Sequence, residues 1–146
     1  MTPFKDIPIR EILPQRDPFL FVDALDNYDE KVTLTSFTVR EGHLLVEDGF
    51  LCAAGVLENM AQSSAARIGY QSKYILHVPV RIGFIGAIRN FRLHRLPAVG
   101  ETLSTSIVLK EDVFGISLVD AVVKVGEETI AEAALKTALG EKEAER

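Results

Sequence analysis

The chain has 146 residues, which suits one domain with a sizeable core. Hydrophobic residues make up 47%, charged residues 25%, and the net charge is −5, a balance that argues against a nucleic-acid surface with its clustered Lys and Arg. A lone cysteine, Cys52, excludes an internal disulfide and fits a reducing cytoplasm, and the scattered His43, His77 and His94 lack zinc-ligand spacing.

Met1 to Arg16 carries charges and three prolines without an apolar run, so no secretory signal is expected. No stretch approaches the roughly 18 apolar residues of a membrane span. Asp6 to Leu13 has Ile9, Ile12 and Leu13 at helical spacing and predicts a short helix ended by Pro14. Phe19 to Leu25 reads as a buried strand. Val32 to Val39 reads as a second strand, with a phase slip at Ser36-Phe37 that predicts a bulge.

Cys52 to Ile68 is the clearest element. It is proline-free and rich in alanine, with Asp48 as a start signal and Gly69 at the stop position. Its apolar residues cover most of the circumference, which predicts burial on several sides. Strands are then expected at Val80 to Arg95, bent by Gly83 and Gly86, at Thr102 to Leu109, at Phe114 to Val125 and at Thr129 to Leu139. Turns fall at Pro97 to Gly100 and Gly126-Glu127-Glu128, and Gly140 to Arg146 reads as a frayed tail.

Late strands joined by tight turns imply antiparallel pairing. A helix buried on most sides needs a sheet that curls around it. The expected architecture is α+β, a hot-dog fold with five to six antiparallel strands wrapped around one long central helix in a single domain over 1–146. Such a sheet leaves an edge able to pair across a twofold axis, so a homodimer is the expected state.

Glu58 sits in the second turn of the apolar helix, with Ala54, Ala61, Gln62 and Ala65 on or near its face. Burying a carboxyl favours its protonated form, which a general acid needs. The plainer alternative is a solvent-facing glutamate favoured by the helix dipole. Free N–H groups around Ala53, Ala54 and Gly55 could polarise a thioester carbonyl, or the small residues could serve packing alone. Arg89, Arg92 and Arg95 form either a solvated strand face or a dock for an acidic partner. No cofactor is indicated.

Four segments resemble the β-hydroxyacyl-acyl-carrier-protein dehydratases. Leu13-Pro14-Gln15-Arg16-Asp17-Pro18-Phe19-Leu20-Phe21-Val22-Asp23 is similar to their opening Leu-Pro-His-Arg and Pro-Phe-Leu-Leu-Val-Asp. Glu58-Asn59-Met60-Ala61-Gln62 resembles Glu-Ala-Met-Ala-Gln on the central helix. Phe84 to Arg92 and Pro97 to Leu103 resemble the following strand and turn. The resemblance runs from about Ile12 to Leu139 and is nearest to the dehydratase-like proteins of aryl-polyene pathways. It implies the hot-dog fold, a role in fatty-acid or polyene biosynthesis, and an acyl carrier protein or acyl thioester as partner.

By that resemblance Glu58 matches the acid, and Ala53 with its neighbours matches the oxyanion site. Gln15 stands at the position of the family's base, and Leu57, Met60, Gln62 and Phe84 would line the acyl chain. A neutral amide has no usable basicity. The family's Phe-Pro-Gly-His-Pro loop is replaced by Val46-Glu47-Asp48-Gly49-Phe50. A substitute base is sought among His43, Asp17, Asp48 and Cys52, with His77 and His94 reading as surface residues. Three readings follow: an enzyme with a substitute base, an inactive acyl-binding homologue, or a chain that lends Glu58 to a His-bearing paralogue in a heterodimer. Thioesterase activity ranks lower, because no thioesterase signature is present.

Overall fold

β-Branched residues alternating with polar ones build most of the sheet. The computed structural model describes residues 1–143. β1 (Ala24–Tyr28) and β2 (Val32–Thr38) precede a small hairpin of β3 (Val46–Glu47) and β4 (Phe50–Leu51). Helix α1 (Ala53–Tyr70) follows, then β5 (Arg81–Leu93), β6 (Thr102–Val113), β7 (Ile116–Val125) and β8 (Glu128–Glu143). The main sheet runs β1-β2-β6-β7-β8-β5, with every neighbouring pair antiparallel. α1 packs against β2, β5, β6, β7 and β8, so the sheet curls around it in the hot-dog arrangement.

Two cores hold the helix. Phe21, Phe37, Met60, Leu103, Ile107 and Leu135 belong to the first, between helix and sheet. Each such large side chain contributes roughly 1.5–3 kcal/mol on burial. Ile7, Ile12, Leu13 and Val22 of the N-terminal segment form the second with Ala66 and Tyr70. That segment covers the later half of α1 on a side the sheet does not reach. No helix among the described residues is long and apolar enough to cross a membrane.

Several local expectations need correction. Asp6 to Leu13 is not one helix: it forms 3-10 turns at Phe4–Asp6 and Ile9–Glu11, each opened by a proline. Pro8 has no N–H to continue a helical ladder. The strand expected from Phe19 begins only at Ala24 and reaches Tyr28. β2 alternates without a slip, and Thr33, Thr35 and Phe37 all point inward. The irregularity lies opposite, in β1 between Leu25 and Asn27. Of the inward threonines, Thr35 is met by a polar group of α1, its Oγ1 lying 2.7 Å from Ser63 Oγ, while the Thr33 hydroxyl has no partner among the described residues.

Gly69 does not stop the helix. α1 passes through it to Tyr70 and a π turn follows at Gln71–Ile75. A Cβ on Gly69 would collide with the carbonyl of Ile12, so glycine here permits close approach of the N-terminal segment. Asp48 does not start the helix either. It sits at φ +53° in the β3–β4 turn, and Cys52 occupies the cap position. β6 runs on to Val113, and Phe114-Gly115 makes the turn into β7. β8 extends the last strand to Glu143, and the rest of the expected frayed tail, 144–146, lies outside the described residues.

Candidate active site

α1 keeps one stripe off the sheet. Ala54 and Glu58 are exposed along it, and Ala61 and Ala65 are half-buried. Glu58 and Gln15 line one recess of about 180 Å³ with Ala61, Ala65, Gly83 and Thr137. The recess is flanked by β5, which among the described residues pairs with β8 alone and has its other edge unpaired. The burial expected for Glu58 is not supplied within one chain, since its side is open.

Gln62 fixes the site's frame. Its Nε2 donates to Glu58 Oε2 at 3.0 Å and to the Phe19 carbonyl at 2.9 Å. Its Oε1 accepts from the Phe21 N–H at 2.7 Å, and Asn59 Nδ2 donates to the Phe21 carbonyl at 2.8 Å. Helix side chains thus do for Phe19 to Phe21 what a neighbouring strand would do elsewhere. This is why Leu20 and Phe21 are buried although no strand among the described residues pairs with them, while the Phe19 side chain stays exposed. Arg16 donates to the carbonyls of Leu13 and Gln15, both at 2.8 Å, and sets the turn that carries Gln15. Gln15 Oε1 and Ser64 Oγ are both buried without a hydrogen-bond partner among the described residues, and both residues border this recess.

The other residues singled out in the sequence are spread more widely. Gly55 N–H is taken by the Cys52 carbonyl at 2.9 Å, leaving Ala53 and Ala54 as the free donors at the helix start. Met60 is wholly inside the first core, and Leu57 packs against that core from a half-buried position. Phe84 lies on the sheet's far side: neighbouring Gly83 faces Ile68 of α1, while Phe84 lies over Gly140. It is 58% exposed and does not border the recess.

His43 does not border the recess either. Its Nε2 lies 3.0 Å from the Leu20 carbonyl, its Nδ1 lies 2.8 Å from the Leu44 carbonyl, and Phe21 and Phe37 meet its ring edge-on. Successive carbonyls of an extended segment point opposite ways. Phe19 and Phe21 face Gln62 and Asn59, and Leu20 faces His43. Glu58 and His43 of one chain therefore sit on opposite sides of the same segment. Asp17 is exposed in its turn, and Cys52 is a free, half-buried thiol at the cap. His94 N–H donates to the Ile130 carbonyl at the end of β5.

Of the basic cluster, Arg95 is clamped between Glu101 (2.8 Å) and Glu128 (3.0 Å), and Arg92 lies 3.8 Å from Glu132. Hydrogen bonds from Arg95 hold the Glu101 carboxyl down at about 2. A different basic surface adjoins the recess. Arg10, Glu11, Arg16, Lys73 and His77 border a groove of about 610 Å³ that shares Leu13 and Pro14 with the Gln15 turn, and Lys73 is paired there with Glu11 at 3.1 Å. Ser64 and Thr137 escaped sequence reasoning. The one available signal was the Ser63-Ser64 pair inside an alanine-rich helix. Among the described residues no three His, Cys, Asp or Glu side chains are grouped to hold a metal ion.

Known proteins agree with this frame. Residues 7–145 match the family described as ApeP-like, ApeP dehydratase. The 3-hydroxyacyl-[acyl-carrier-protein] dehydratase FabZ of Desulforamulus reducens is 36% identical, over 92% of this chain and 96% of that protein. The structure of the dehydratase heterocomplex ApeI:P from Xenorhabdus doucetiae superposes with a TM-score of 0.85 at 18% identity, over 93% of each chain. Cj0977, a sigma28-regulated virulence protein from Campylobacter jejuni, shares the fold at a TM-score of 0.71 and 12% identity, over 92% of this chain and 89% of its own. The chain is a dehydratase-like hot-dog protein and belongs to the ApeP-like dehydratase family.

Proposed function

We propose that this chain forms one half of a 3-hydroxyacyl-acyl-carrier-protein dehydratase of fatty-acid or polyene biosynthesis, completed by a second chain seated on β5. The observation that carries the reading is the place of Glu58: on the open stripe of α1, in a recess beside the unpaired edge of the sheet. A strand added to that edge satisfies the free backbone groups of β5 and walls in the carboxyl. Glu58 then gives its proton to the departing 3-hydroxyl while a base removes a proton from the α-carbon. The C–O bond breaks, the α,β double bond forms, and water leaves. The free N–H groups of Ala53 and Ala54 offer donors for the thioester oxygen.

Gln15 supplies no base, so the base comes from the second chain. The ApeI:P relative is a heterocomplex, which supports a different second chain in that place, and a His-bearing paralogue there would supply the base. A second reading is a homodimer that brings one copy's His43 to the other's Glu58; it requires the ring to release the Leu20 or Leu44 carbonyl that each nitrogen faces. Arg10 and Arg16, in the groove beside the Gln15 turn, offer an approach for an acidic carrier protein in the cytoplasm.

The test incubates a 3-hydroxyacyl carrier-protein thioester with the pure chain, with the His-bearing paralogue, and with both, and follows enoyl product. Turnover by the mixture alone, lost with Glu58→Gln, supports the heterodimer. Turnover by the pure chain, lost with His43→Asn, supports the homodimer. A monomer in sedimentation that never associates with the paralogue overturns both.

A further inference from the structure

Four buried side-chain polar atoms lack a hydrogen-bond partner among the described residues, and two of them, Gln15 Oε1 and Ser64 Oγ, belong to residues lining the Glu58 recess. Ser64 is fully buried within the single chain, at the wall of this recess. Native structures leave few such groups, and each asks for an explanation. Serine in a helix usually turns its hydroxyl to the carbonyl four residues back. Ser72 does so, donating to the Ile68 carbonyl at 2.8 Å, whereas Ser64 does not. Ser63 next to it is also satisfied, through Thr35. The unsatisfied hydroxyl is the one bordering the recess.

The chemistry of the missing partner can be narrowed. A carboxamide oxygen only accepts, so Gln15 Oε1 calls for an O–H or N–H on the ligand. A serine hydroxyl both donates and accepts. Between them the recess has apolar walls, Ala61, Ala65, Ile68 and Ile85. Its volume of about 180 Å³ equals roughly six waters at about 30 Å³ each, room for the reacting end of an acyl chain and not for a long tail. A short aliphatic group bearing one hydroxyl fits this lining better than a bare hydrocarbon, which would leave both polar atoms unpaired.

We propose that Ser64 is a specificity-determining residue: its hydroxyl, with Gln15 Oε1, recognises the 3-hydroxyl of the acyl group and sets the preference for 3-hydroxyacyl over unsubstituted acyl thioesters. The inference rests on the reading of the recess as an acyl-thioester site. A site built to hydrogen-bond a hydroxyl discriminates against the analogue that lacks it, because its own polar groups are then left unpaired.

The experiment measures calorimetric affinities of 3-hydroxybutyryl-pantetheine and butyryl-pantetheine, using the chain in whichever assembly the turnover test supports. The wild type is expected to prefer the hydroxylated ligand by about three- to tenfold, the range of one neutral hydrogen bond. Ser64→Ala should bring the ratio close to one without lowering the melting temperature, since it removes a hydroxyl that has no partner to lose. Ser64→Cys, which keeps the branching, is slightly larger and weakens the donor, should also reduce the ratio. An unchanged ratio in Ser64→Ala and Ser64→Cys overturns the assignment of Ser64 and leaves the acyl-thioester reading intact. Failure of the wild type to bind either ligand overturns that reading itself.

Discussion

Glu58 and Gln62, one helical turn apart on α1, form a relay between the candidate acid and the N-terminal segment. The Gln62 amide donates to the Glu58 carboxyl at 3.0 Å while its two ends also hold the main chain of Phe19 and Phe21. Replacing Gln62 with Leu removes all three bonds and leaves the buried Phe21 N–H unsatisfied. A buried orphan costs about 1–3 kcal/mol, so Gln62→Leu should lose about 2–3 kcal/mol in total. At roughly 2–4 °C per kcal/mol, the melting temperature should fall by about 5–10 °C in a circular-dichroism melt. A melting temperature equal to wild type would mean that the segment does not depend on this amide.

Glu58→Gln separates chemistry from architecture. The side chain is exposed in the single chain, and a glutamine there still accepts a hydrogen bond from Gln62. Stability should stay within about 0.5 kcal/mol of wild type. Turnover in the competent assembly should fall about 10²–10⁴-fold, as expected for loss of a general acid. Retention of wild-type turnover would remove Glu58 from the mechanism.

The contact between Thr35 Oγ1 and Ser63 Oγ at 2.7 Å lends itself to a mutant cycle. Both groups are fully buried. Thr35→Val or Ser63→Ala alone strands the remaining hydroxyl and should cost about 1–2 kcal/mol in urea unfolding. The double variant should recover much of that loss, because neither hydroxyl is then left alone. Strict additivity of the two single effects would show that the hydroxyls act separately.

Acid should loosen the corner between β5 and β6. The Glu101 carboxyl, usual value 4.5, is held at about 2 by hydrogen bonds from Arg95 and from the Ala98 N–H. The unfolded chain takes up this proton at higher pH than the folded one. The stability contributed is therefore complete above about pH 4.5 and lost as pH falls from there toward 2. Solvent screening at this exposed corner keeps the effect small. Urea midpoints measured from pH 6 down to pH 2.5 should fall more for wild type than for Glu101→Gln. Parallel curves would contradict this.

Gly69→Ala would normally favour a helix by about 1 kcal/mol. Here the new Cβ collides with the Ile12 carbonyl, a backbone atom that cannot step aside alone. The substitution should destabilise by about 3 kcal/mol, the upper part of the overpacking range. A stability gain in chemical denaturation would show that the N-terminal segment is not held against α1.

The helix and the four late strands were legible because their signals are local: an alanine-rich, proline-free run, and alternation broken by Gly-containing turns. The same local logic failed where two elements share a polar seam. Val32 to Val39 read as slipping in phase because its inward positions Thr33 and Thr35 are polar; Ser63 of α1 meets Thr35, and Asn59 nearby accepts from Thr105 Oγ1 at 2.6 Å. Only their spacing on the helix, at i, i+3 and i+4 through Asn59, Gln62 and Ser63, announces that seam. Gly69 read as a stop because the close approach of Ile12 is a long-range contact. Glu58 and Gln15 were both legible as candidates, and their meeting in one recess was not, since 43 positions of chain separate them.

β5 presents 13 residues whose outer edge no strand among the described residues pairs, and its side chains include the exposed Phe84, Ile85 and Ile88. A rim of that length and oiliness templates indiscriminate strand addition when nothing occupies it. Production of the chain in excess over whatever occupies the rim should therefore yield inclusion bodies or ragged multimers, and co-production should rescue the soluble yield. The stoichiometry of synthesis is in this sense part of the protein's folding problem.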